Sequence, residues 1–134
     1  MMKRMACMAS VLAVLIVAAR ADDPSPSIKE IMGKLHKGAN APLAKLKTVL
    51  KAETPDWKDV QSLSKDFVIL GADLAKNEPP RGDRSAFEQL ANAYYQNVKA
   101  LDDGAKAEDK AKAQAALNKI GASCKACHAA HKKQ

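Results

Sequence analysis

Aromatic residues are scarce: Phe, Trp and Tyr together make up 4% of the 134 residues. Sheets draw on aromatic and β-branched side chains, so this scarcity disfavours a β fold. Six glycines and six prolines are too few for a collagen-like repeat. The balance of 47% hydrophobic to 28% charged residues is that of a globular chain, not a disordered one. No internal repeat or low-complexity array is visible. The length suits one domain, and a domain of this size buries roughly two thirds of its unfolded surface, enough for a real core.

Long apolar runs are confined to the N-terminus. Lys3 and Arg4 give a basic start, Met5 to Ala19 carries no charge, and Ala19-Arg20-Ala21 ends the run with a small-x-small pattern. This is the layout of a secretory signal peptide, with cleavage expected after Ala21. The run is about 15 residues, short of the roughly 20 that span a bilayer, so a retained anchor is the weaker reading. Cys7 has no leucine-rich run before it, which disfavours lipid attachment there. The expected organisation is therefore residues 1–21 as signal peptide and 22–134 as the domain. Removal of Lys3, Arg4 and Arg20 with no acidic residue lowers the formal charge from +7 to +4. A charge that mild does not argue for nucleic acid, which wants a clustered basic face. It is compatible with docking to an acidic protein surface.

From Ser27 onward the pattern predicts helices. The first spans about Ile28 to Lys51, with Ser27 and Glu30 as a capping box and a stripe of Ile31, Met32, Leu35, Leu43, Leu46 and Leu50. Gly38 and Pro42 interrupt it and predict a kink, not a break. The second spans about Pro55 to Lys76, with Thr54 as cap and Trp57, Val60, Phe67, Leu70 and Leu74 as stripe. EPPRGD, from Glu78 to Asp83, is a stop and a loop. The third spans about Ala86 to Asp102, capped by Ser85 with Glu88 and ended by Gly104. The fourth, Ala-rich, spans about Ala107 to Lys132. Four such helices with short connections predict an all-α antiparallel four-helix bundle. In the last helix the large aliphatic residues are Leu117 and Ile120 alone. Interiors pack densely, so an alanine wall facing full-sized side chains predicts a void that something bulky fills.

Cys124-Lys125-Ala126-Cys127-His128 supplies a candidate. C-x-x-C-H is the attachment motif of c-type haem. Two thiols add across the two vinyl groups on one edge of the porphyrin, and the adjacent imidazole binds iron axially. The competing readings are weaker. A structural zinc site wants four ligands around a tetrahedron, which Cys124, Cys127, His128 and His131 on one helix could not give without unwinding it. A redox dithiol wants a preceding strand. A C-x-x-C disulfide within a helix is strained.

The second axial position should come from another helix. Met32 is the leading candidate, on the inward stripe of the first helix, and its competing role is core filler. His36, one turn further along, is the rival, but with Lys34 and Lys37 beside it the residue reads as surface. His131 reads as packing beside the haem.

These features resemble those of the class II c-type cytochromes, the family that includes cytochrome c prime and its low-spin relatives. The resemblance rests on the signal peptide, the four helices, and GASCKACHAAHK (Gly121 to Lys132) near the C-terminus. IKEIMGKLHKGANA (Ile28 to Ala41) is similar to the first helix of low-spin members, which implies Met32 as sixth ligand. The resemblance implies one haem c held by Cys124 and Cys127, with iron on His128 and Met32. It implies a non-enzymatic periplasmic protein that carries single electrons, sometimes as a homodimer, without stable membrane insertion. Lys119, Lys125, Lys132 and Lys133 would steer acidic redox partners, unless they merely solvate the helix. The alternative is five-coordinate iron that binds nitric oxide or carbon monoxide in an apolar pocket lined by Ile28, Leu35 and Tyr94. Peroxidase-type chemistry would have His36 alone as its acid-base residue.

Overall fold

A computed structural model describes residues 24–133. The expected signal peptide therefore lies outside the described residues. Within them the chain is all helical: α1 (Ile28–His36), α2 (Pro42–Val49), α3 (Trp57–Leu74), α4 (Arg84–Lys106) and α5 (Lys110–His131). No described helix is long and apolar enough to cross a membrane.

The helices form where apolar residues recur at helical spacing, and short polar side chains set their starts. At α1 the capping box is made: the Ser27 hydroxyl accepts from the Glu30 amide, and Glu30 accepts from the Ser27 amide at 2.8 Å. Elsewhere aspartates take the role. The Asp56, Asp83 and Asp109 carboxylates accept first-turn amides of α3, α4 and α5. Thr54 and Ser85, expected as caps, are displaced by these neighbouring carboxylates, because a charged acceptor at a helix N-terminus also meets the dipole.

Two boundaries differ from expectation. The first helix breaks into α1 and α2, because Gly38 adopts φ +95° and Pro42 begins a new helix at its first position. Gly104 does not end α4. It lies buried within the helix, where a Cβ would stand 2.8 Å from the Ala113 backbone nitrogen. The chain reverses instead at Glu108, in the left-handed region with φ +53°.

The core joins Ile31 and Leu35 of α1, Leu46 and Leu50 near α2, Val60 and Phe67 of α3, Phe87, Val98 and Leu101 of α4, and Leu117 and Ile120 of α5. α1 packs on α2 and α3, α3 on α4, and α5 runs closely along α4. With α1 and α2 together standing in for one helix, the arrangement is that of a four-helix bundle. The alanine wall of α5 leaves no void against α4, which is a correction. Ala113 and Ala116 are buried because α4 comes close to them. Small side chains here set the distance between helices and do not open a space. The start of α5 is also tied to the end of α2, where the Gln114 amide donates to the Leu50 carbonyl at 2.7 Å.

Candidate haem-attachment site

The motif occupies the last two turns of α5. Cys124 and Cys127 are three apart, so they share one helix face, and both are free and half-buried. The Cys124 Sγ lies 3.7 Å from the Ile120 carbonyl. Burial pushes the Cys127 thiol up, and Cys124 adds to the effect. His128, next in sequence, is exposed.

Met32 and Cys127 are both partly buried at the edge of the same core. Ile28, Met32 and His36 recur at intervals of four, so they form one row along α1. His36 is not the surface residue that its lysine neighbours suggested. Its ring is half-buried, packs edge-on against Phe67 with centroids 5.5 Å apart, and shares a 2.9 Å hydrogen bond between Nε2 and the Tyr94 hydroxyl. Its Nδ1 is buried with no partner. Burial pulls its pKa down to about 4, helped by the nearby charges of His128 and Lys47. Tyr94 is pushed upward by burial and by Cys124.

His131, expected to pack beside the haem, lies at the C-terminal end of α5. It is 3% exposed and packs edge-on against Phe87, while its Nδ1 donates to the Arg81 carbonyl at 2.8 Å. Arg81 in turn donates to the Ala129 and Lys132 carbonyls at the end of α5. Gly82, with φ +82°, lies so close that a Cβ would meet the Ala130 oxygen and His131 Nδ1 at 2.8 Å. His131 therefore fastens the α3–α4 loop to the end of α5.

The donor set fits a covalently held haem. Two free thiols share one face, an imidazole adjoins them, and a neighbouring imidazole nitrogen is buried without a partner. No cluster of His, Cys, Asp and Glu among the described residues suits a metal ion bound by protein alone. Little in the neighbouring residues signalled the His36 role. Its partner is 58 residues away, and the one available signal was its four-residue spacing from Met32.

Residues 82–132 match the family model described as Cytochrome C'. A cytochrome c' from Alcaligenes xylosoxydans xylosoxydans is 42% identical over 52 residues, which cover 39% of this chain and 41% of that protein. The matched stretch thus spans under half of that relative. The crystal structure of cytochrome c' from Thermochromatium tepidum shares the fold, with a TM-score of 0.54 and 18% identity over 69% of this chain and 84% of that one. Cytochromes c' bind haem c covalently and are typically five-coordinate. The similarity therefore runs to them and does not support the low-spin branch suggested by α1. The segment that holds α4, α5 and the C-x-x-C-H motif, residues 82–132, is thus similar to the cytochrome c' family.

Proposed function

We propose that the protein is an exported bacterial monohaem cytochrome whose iron is held on one side by His128 and takes a small diatomic ligand, nitric oxide or carbon monoxide, on the other. One observation carries the reading: the C-x-x-C-H motif, with both thiols free and half-buried, lies within the segment that matches cytochrome c'. When bound, the haem supplies an iron able to take such a ligand. The chain's own residues do the rest. Cys124 and Cys127 would hold the ring against α5 through two thioether bonds, each thiol adding its sulfur and its hydrogen across one vinyl group. His128 would supply the nitrogen that binds iron. Met32, partly buried against the core, acts as part of the apolar wall. The exposed Lys119, Lys125, Lys132 and Lys133 give α5 a positive end suited to a weak, salt-sensitive encounter with an acidic redox partner.

Visible spectra of the purified protein in both oxidation states test this reading. The expected result is a high-spin haem that binds carbon monoxide when reduced, and whose spectrum Met32→Ala leaves unchanged. A six-coordinate low-spin spectrum that Met32→Ala abolishes would restore electron carriage through a His128–Met32 pair. A colourless protein with the mass of the processed polypeptide alone, from a host able to attach haem, would refute the haem itself.

A further inference from the structure

The pocket expected from sequence was apolar, with Tyr94 in its lining, but in the structure Tyr94 is hydrogen-bonded to the imidazole of His36. His36 shares the α1 row of Ile28 and Met32, and its ring is pinned between the edge of Phe67 and the Tyr94 hydroxyl. Tyr94 has no other acceptor among the described residues. A bond in which the phenol donates to Nε2 satisfies the phenol proton, whereas the reverse bond strands it. The phenol-donating arrangement places the ring proton on Nδ1. That nitrogen is buried and unpartnered. A buried donor left unsatisfied is costly, so such an atom points to a missing acceptor. The described residues supply no acceptor, which leaves that role to a group the protein binds.

We propose that His36 is the hydrogen-bond donor on the ligand-binding side of the haem, with Tyr94 as its positioning residue, so that the protein favours ligands that carry negative charge on their outer atom over carbon monoxide. This rests on the haem reading above. A donor stabilises an outer atom in proportion to the negative charge it holds. Cyanide on the oxidised protein holds much of it, and carbon monoxide on the reduced protein holds little. In this pocket Ile28 and Met32 shape the wall, and His36 supplies the polarity.

The test compares the loaded wild-type protein with His36→Leu, His36→Gln and Tyr94→Phe, using cyanide and carbon monoxide as probes and the infrared C–O stretch as the readout of the local field. His36→Leu should lower the cyanide-to-carbon-monoxide affinity ratio about tenfold, the worth of one hydrogen bond, and move the C–O stretch to higher frequency. His36→Gln, which keeps a donor, should recover part of both effects. Tyr94→Phe should move the stretch in the same direction by less, since the donor remains but is no longer held. Should His36→Leu fail to hold haem, His36→Gln and Tyr94→Phe still decide the matter. An unchanged stretch and ratio across the variants would overturn the proposal. So would a wild-type protein that takes carbon monoxide only after His36 is replaced, because His36 would then be an iron ligand. A colourless wild-type protein is a different result, and it refutes the haem reading itself.

Discussion

Where α4 turns into α5, the buried residues are Gly104, Ala105, Ala113 and Ala116. Where α1 and α2 meet α3, they are Ile31, Leu35, Leu46, Val60 and Phe67. The first seam is held by close approach of backbones, with no room even for a methyl group on Gly104. The second is held by interlocking side chains between short helices that would not be stable alone. The two seams should therefore fail in opposite ways: the α1–α2–α3 side when atoms are removed, the α4–α5 side when atoms are added.

The largest expected effect lies on the side with large residues. Leu46 is fully buried in α2, a helix of eight residues that depends on packing for its existence. Leu46→Ala should cost about 2–5 kcal/mol in chemical unfolding of the haem-loaded protein. A loss well under that range would mean that α2 contributes little, and the contrast between the seams would weaken.

Next in size is the reverse substitution on the other side. Gly104→Ala places a methyl against the backbone nitrogen and Cα of Ala113, which cannot move aside as a flexible side chain would. It should cost about 1–3 kcal/mol, although alanine is the better helix former. Stability equal to wild type would show that the α4–α5 turn yields easily and that the seam is not set by contact.

The two buried histidines sharpen the same contrast. His131 bonds to a carbonyl one loop away and fastens that loop to α5. His36 bonds to a tyrosine on another helix, and in each ring the second nitrogen is buried without a partner. From sequence, His36 read as a surface residue beside lysines and His131 as packing beside the haem, and the bonding partner of neither was legible. Each depends on a partner about 50 or more residues distant. What could be read was whatever repeats locally. The apolar stripes found Ile31, Leu35, Leu46, Val60 and Phe67, all of them buried. The Ser27–Glu30 box and the cysteine spacing were equally local. Gly104 was misread because a glycine near a helix end serves either as a terminator or as a point of close approach. Only the position of Ala113 decides between them. The alanine wall was misread for the same reason, since a small side chain opens a void only if the neighbouring helix stays away.

The smallest effect brings the comparison down to one chemical change made at two sites. Gly33 lies in the interior of α1 and is exposed, and a Cβ built there meets nothing within 4 Å. Its backbone is helical and shows no positive φ. Alanine at such a site restricts the unfolded chain and adds no clash in the folded one. Gly33→Ala should therefore stabilise the protein by about 0.5–1 kcal/mol, the opposite sign to Gly104→Ala. Unfolding midpoints of the two variants measured side by side check this directly. If both substitutions destabilise, α1 needs the freedom of Gly33, and the row of Ile28, Met32 and His36 is held less rigidly than its packing indicates. If both stabilise, helix propensity outweighs contact at Gly104, and the α4–α5 seam owes its closeness to the turn at Glu108 and not to the small residues along it.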